Sequence, residues 1–265
     1  MPLQPRVLIH ARTEEEFRAL DYRVMGKAFE IHNDLGPHLD EVVYKNELAF
    51  RLAQDGISGI REFPVDLIFS TFLKTVFIDL LVDGSTVYEI KTANSFATAH
   101  RSQAINYLFA TGTKHGKLVN FRGPKVEGEF VSTTLDHDAR CSFEVLDIDW
   151  QGDDPESNTW RSILVSLIRD WGAFLTLGWY REALMHLLGG LSRTETRIDL
   201  SLQGRPIGSQ AVRLLTPDTM WTLTATKNYV LMKQHLVRFV ELTCLARIQW
   251  ANLHNHRLQF RTFVR

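Results

Sequence analysis

The chain has 265 residues, 45% of them hydrophobic and 11% aromatic, which fits one large or two ordinary domains with real cores and excludes a disordered chain. A net charge of −1 excludes a uniformly basic nucleic-acid binder, and no apolar run approaches the roughly 20 residues of a membrane span. The two cysteines, Cys141 and Cys244, lie far apart and make neither a metal-ligand pattern nor a disulfide framework. The first residues lack the basic-then-apolar order of a signal peptide, so a reducing, cytoplasmic setting with no membrane partner is expected.

The charge is unevenly spread. Residues 160–265 carry 14 Lys and Arg against 6 Asp and Glu, and 12 of those cations are arginines. Residues 1–140 carry 16 against 19. A basic, arginine-rich half is either a solvated helical surface or a phosphate-binding face, because the guanidinium fork suits phosphate oxygens.

Along the chain, Phe17, Leu20, Val24, Ala28 and Ile31 recur at helical spacing until Gly36-Pro37 breaks the pattern. A second helix is predicted over about 38–55, with Leu39, Val42, Val43, Leu48 and Leu52 facing inward. Extended stretches follow at 63–69, 75–82 and 86–92, then a helix near 97–111 ended by Gly112, and strands at 117–121 and 126–134.

Acidic residues with Gly152 and Pro155 mark 141–157 as a linker. Beyond it the first half is echoed. Leu177-Gly178-Trp179-Tyr180 follows Leu35-Gly36-Pro37-His38, Ile198-Asp199-Leu200 follows Val65-Asp66-Leu67, and strands at 210–216 and 220–226 fall where 77–82 and 86–92 fall. In this echo Asp79 maps near Val212 and Arg213, Glu89 near Thr222 and Lys91 near Thr224, while Glu182 stands opposite Glu41. The expected organisation is therefore an intact domain over 1–140, the linker, and a degenerate basic repeat over 158–265, packed as an internal pseudo-dimer.

The chemistry gathers on Asp79 and Glu89-Ile90-Lys91. Glu89 and Lys91 share one face of a strand. Asp79 joins that face only if it pairs opposite Glu89. A two-residue Asp83-Gly84 turn would pair it with Tyr88 instead, whereas a three-residue Asp83-Gly84-Ser85 loop or a bulge gives the required register. Two carboxylates on one face make a hard-oxygen site for Mg²⁺ or Mn²⁺, with Lys91 beside it to orient water or steady negative charge. The bland alternative is the exposed face of a half-buried hairpin. Glu41 and Tyr44, with His38 a turn before, form a polar stripe on one flanking helix, and Gln103 and Tyr107 form another.

Taken in order, Ile31-His32, Leu35-Gly36-Pro37, Glu41 to Tyr44, Phe77-Ile78-Asp79, Glu89-Ile90-Lys91, Gln103 to Tyr107 and Val119-Asn120-Phe121 resemble the GxxExxY family of the PD-(D/E)XK nuclease superfamily. The resemblance covers about 20–135, and the namesake glycine is replaced by His38. It implies an α/β fold of restriction-endonuclease-like domains, two in tandem if the echo holds, each a mixed sheet flanked by helices. It also implies a metal held by Asp79, Glu89 and the Ile90 carbonyl, with Glu41 as an accessory acid and Lys91 as the catalytic lysine. Gln103 and Tyr107 match the QxxxY element of RecB-like exonucleases, which implies DNA rather than RNA as substrate; Tyr44 and His38 would add contacts to it. The competing expectations are a non-catalytic binding module that keeps the fold, and an assembly protein whose basic half binds an acidic partner.

Overall fold

The structure is a computed structural model that describes residues 3–190 and 195–265. Met1, Pro2 and Arg193, which entered the sequence reading, lie outside the described residues. The chain divides into two compact units, Met1–Ile68 with Leu73–His137, and Phe69–Phe72 with Asp138–Arg265. The architecture is mixed α/β, with two six-stranded sheets and seven helices among the described residues.

In the first unit, helix α1 (Glu14–Leu35) starts at a capping box in which Thr13 and Glu16 satisfy each other's backbone amides. Phe17, Leu20, Val24, Ala28 and Ile31 line its buried stripe, as their spacing predicts. It stops at Gly36, whose φ of 71° and ψ of −172° suit glycine alone and whose amide donates to the His32 carbonyl.

Helix α2 spans Glu41–Gln54 and differs from expectation in phase. Leu39, Val42 and Val43, expected inside, are 37%, 53% and 38% exposed. The inward stripe is Tyr44, Lys45, Leu48, Ala49 and Leu52. The cause is Tyr44. Its hydroxyl donates to the Gly36 carbonyl at 2.5 Å and accepts from the Leu39 amide at 3.1 Å, and its ring stacks on Phe121. Turning Tyr44 inward turns Val42 and Val43 outward.

Strands β1 (Leu3–Pro5), β2 (Gly59–Phe69), β3 (Phe72–Val82), β4 (Thr86–Lys91), β5 (His115–Asn120) and β6 (Glu127–Ser132) stand in that order in the first sheet. β3 and β4 form an antiparallel hairpin, β4 and β5 run parallel, and β5 and β6 are antiparallel. Parallel neighbours need a crossover, and helix α3 (Thr98–Thr111) supplies it. The core between α1, α2 and the sheet includes Val24, Ile31, Tyr44, Leu48, Leu80, Tyr88, Ile90 and Phe121.

The second unit begins with a short helix, α4 (His137–Cys141), and strand β7 (Glu144–Asp147). This corrects the expected linker at 141–157. β7 pairs in parallel with the last strand of the second sheet, and Asp154 caps the next helix by accepting from the Ser157 amide. Acidic residues belong on such an edge, where charge discourages pairing with other chains. Then come α5 (Pro155–Trp171), α6 (Leu177–Leu187), β8 (Glu195–Leu202), β9 (Arg205–Thr216), β10 (Thr219–Thr224), α7 (Tyr229–Glu241), β11 (Arg247–His254) and β12 (Arg257–Val264). Its sheet runs β7-β12-β11-β10-β9-β8.

Several local features recur between the units. β9, β10, β11 and β12 pair antiparallel, parallel and antiparallel in turn, as β3 to β6 do. Tyr180 donates to the Gly172 carbonyl and accepts from the Leu175 amide, the bonds Tyr44 makes to Gly36 and Leu39. Asn252 clasps the backbone of Thr226 as Asn120 clasps that of Ala93. By these bonds Gly172 and Tyr180 match Gly36 and Tyr44, whereas the echo read from the sequence set Gly178 opposite Gly36 and Glu182 opposite Glu41. Leu177, three residues before Tyr180, then takes the place of Glu41, and Arg181 that of Lys45.

Candidate active site

The hairpin meets the demand on its register. Leu80, Leu81 and Val82 pair with Tyr88, Val87 and Thr86, so the loop is the three residues Asp83-Gly84-Ser85. Continuing that register puts Asp79 opposite Glu89. The Asp79 amide approaches Glu89 Oε1 at 3.5 Å, and Asp79 Oδ2 accepts from the Ile90 amide at 3.0 Å.

All six residues of β4 are buried, Glu89 fully so. A buried carboxylate requires partners. Lys91 Nζ lies 3.1 Å from Glu89 Oε2, 3.3 Å from Asp79 Oδ2 and 3.7 Å from Glu41 Oε1. Three acids from α2, β3 and β4 thus converge on one ammonium. Ile90 points its side chain into the core, leaving its backbone between the two charged residues.

Sequence reasoning missed Lys45. It lies one turn after Glu41 on α2, is 8% exposed at its side chain, and donates to Asp79 Oδ1 at 3.2 Å and to Glu62 on β2. Its signal was present as the Glu41–Lys45 i,i+4 spacing. A lysine inside an otherwise apolar stripe reads as surface until Tyr44 fixes the phase.

Two lysines therefore face four carboxylates, and the surplus negative charge is visible in the protonation equilibria. Burial, then the neighbouring Asp79 charge, push Glu89 up to about 8, although Lys91 works the other way. Burial also raises the Glu41 pKa, against the pull of Lys91. Burial disfavours the Lys91 cation, but Glu89, Asp79 and Glu41 outweigh it and its pKa is raised. Lys45 is raised in the same way, burial being outweighed by Glu62 and Asp79.

On α3, the Gln103 side-chain amide donates to the Tyr107 hydroxyl at 3.2 Å. Burial raises the Tyr107 pKa, and the charges of Glu89 and Asp79 add to that, which brings this pair into the electrostatic field of the acids. Tyr44 does not join them: it is fully buried, with its hydroxyl consumed by Gly36 and Leu39. The expectation that Tyr44 touches substrate is corrected on that ground. His38 is exposed in the loop before α2 and forms no part of the ionic cluster.

The donors at this cluster are hard oxygens with excess negative charge, the chemistry that suits a small divalent cation. Among the described residues, however, no group of three or more His, Cys, Asp or Glu is arranged to hold a metal ion. Lys91 and Lys45 hold these carboxylates through their ammonium groups.

Residues 18–131 match a family model described as the PD-(D/E)XK nuclease superfamily. The matched span holds Glu41, Lys45, Asp79, Glu89, Lys91, Gln103 and Tyr107. No curated protein and no solved structure matches the chain. No helix among the described residues is long and apolar enough to cross a membrane.

Proposed function

From the nuclease-superfamily match over residues 18–131, we propose that the first unit hydrolyses phosphodiester bonds of nucleic acid, DNA in preference to RNA, with Mg²⁺ or Mn²⁺. The observation that carries this reading is the convergence of Glu41, Asp79 and Glu89 on Lys91, within 3.1–3.7 Å. Asp79, Glu89 and the Ile90 carbonyl would hold the ion, with Glu41 accessory. Such an ion polarises a phosphate and lowers the pKa of a bound water. Lys91, kept protonated by its three carboxylates, serves as a fixed positive charge and donor for negative charge developing on the phosphate, rather than as a base. Lys45 orients Asp79 from its other oxygen. Gln103 and Tyr107 offer the substrate an amide and a phenol beside the acids, and His38 an exposed imidazole.

We read the second unit as a degenerate nuclease-like repeat whose arginines add phosphate contacts. In support, β9 to β12 repeat the pairing senses of β3 to β6. Val212, Thr222, Thr224 and Leu177 stand where Asp79, Glu89, Lys91 and Glu41 would be, so no carboxylate pair remains.

The test is cleavage of single- and double-stranded oligonucleotides by the full chain with Mg²⁺ or Mn²⁺. Asp79→Ala and Lys91→Ala should each abolish it while the protein stays folded; persistent cleavage in both sinks the assignment. A second reading, a non-catalytic binding module, is favoured by the two lysines that already engage the acids. Calorimetry separates the two: no heat with Mn²⁺, or equal heat from wild type and Asp79→Ala, selects the binding module.

A further inference from the structure

The second unit contains a pair of arginines without strong anionic partners among the described residues. Arg181 follows Tyr180 on α6 as Lys45 follows Tyr44 on α2. Its guanidinium donates to the Leu223 carbonyl on β10 and has no carboxylate partner among the described residues. A guanidinium carries several N–H donors, and one neutral carbonyl leaves most of them unused. Arg213, on β9, lies close enough for its charge to disfavour the Arg181 cation, second only to burial, so the Arg181 pKa is lowered.

Arg213 is itself weakly neutralised. Its nearest carboxylate oxygen, on Glu195, is 3.7 Å away, and both side chains are more than a third exposed, so the pair contributes little. Its Nε approaches the Met185 sulfur at 3.3 Å, and its guanidinium lies 5.8 Å over the Trp221 ring. Neither partner carries charge. The first unit answers Lys45 with Glu62 and Asp79. Here Arg181 bonds Leu223 on β10, while Arg213 touches Met185, four residues after Arg181 on α6, and the Trp221 ring, two residues before Leu223, so the same helix and strand hold both arginines.

Two neighbouring, partly exposed guanidinium groups that lack strong anionic partners are a standing cost, relieved by an oxyanion that both can contact. We propose that Arg181 and Arg213 form a phosphate-binding site in the second unit, occupied by a phosphodiester group of a nucleic-acid strand or by free phosphate. The strand as occupant rests on the nuclease reading; the oxyanion site does not.

The experiment uses the full chain in EDTA, with inorganic phosphate and a single-stranded oligonucleotide as separate probes. Phosphate should raise the wild-type melting temperature saturably, and the oligonucleotide should bind by anisotropy. Arg181→Gln, which retains a donor for Leu223, and Arg213→Gln should each weaken binding of the oligonucleotide about tenfold and reduce the salt slope by about 1. Arg181→Lys, which keeps charge without the fork, should fall between. Arginine-dependent binding of the oligonucleotide alone identifies the strand as occupant; equal dependence for both probes identifies any phosphate. Both probes are read in EDTA, without the divalent ion that the proposed active site requires, so loss of arginine-dependent binding and loss of cleavage are separate outcomes. The proposal is overturned if the wild type binds neither probe, or if both Gln variants bind as the wild type does.

Discussion

Lys45 and Lys91 hold opposite oxygens of one carboxylate, Lys45 at Asp79 Oδ1 and Lys91 at Asp79 Oδ2. Asp79 is thereby fixed in rotation, with the Ile90 amide as a third tie. Lys45→Ala removes one tie and leaves Glu62 without its buried partner. The expected cost is about 1–3 kcal/mol, measured by denaturant unfolding at neutral pH. A variant as stable as the wild type would show that Lys91 and the Ile90 amide suffice to hold Asp79.

The raised Glu89 pKa makes the stability of the ion-free protein depend on pH. The folded state holds this proton up to about 8, whereas the unfolded chain releases it near 4.5. The contribution is present in full below the unfolded value and is lost as pH rises through the folded one. Melting temperature in EDTA should therefore fall between about pH 4.5 and 8. Glu89→Gln, neutral throughout, should flatten that slope and melt higher than the wild type at pH 8. A bound divalent ion favours the ionised carboxylate, so stabilisation by Mg²⁺ should grow over the same interval.

Tyr44→Phe and Tyr180→Phe should behave alike. Each deletes a buried hydroxyl that bridges a helix-ending glycine carbonyl to an amide in the following loop. Losing the bridge leaves both backbone groups unpaired, at a cost of about 1–3 kcal/mol. Chemical unfolding of the two single variants checks this; a large cost in one and none in the other would show that the bridges are not equivalent.

The two glycines themselves should differ. Both adopt positive φ with extended ψ, a region costly for any other residue, by about 1–3 kcal/mol. A methyl group on Gly36 meets nothing within 4 Å, whereas on Gly172 it would come within 2.8 Å of Arg140 Cβ. Gly172→Ala should therefore lose more stability than Gly36→Ala. Melting curves of the pair, compared with wild type, decide the order.

Where hydrophobic periodicity ran uninterrupted, the sequence was a good guide: α1, the β3–β4 hairpin, α3 and β5 lie close to their predicted positions. The clustered acids Asp79 and Glu89 were also legible, because carboxylates are conspicuous in strands that should be apolar. Other elements were hidden for physical reasons. Acidic residues disguised β7 as a linker. β12 was not anticipated at all, since Arg257, Gln259 and Arg261 interrupt its apolar residues, although Arg261 is nearly buried beneath Tyr229 and paired with Asp149. The phase of α2 depended on Tyr44 reaching Gly36 and Leu39, a tertiary bond that local spacing does not encode. Lys45 was lost with it.

The three-residue loop Asp83-Gly84-Ser85 has a consequence beyond the turn. Asp83 and Gly84 both have positive φ, and the Gly84 carbonyl accepts from the His10 amide, so the loop is held in one shape. Because side chains alternate along a strand, shortening it by one residue would send Asp79 to the opposite side of the sheet while leaving every acid in the sequence untouched. The parity of this loop thus decides whether Asp79 meets Glu89 and Lys91 at all, and a single-codon deletion there would part them where a survey of motif residues alone would detect no change.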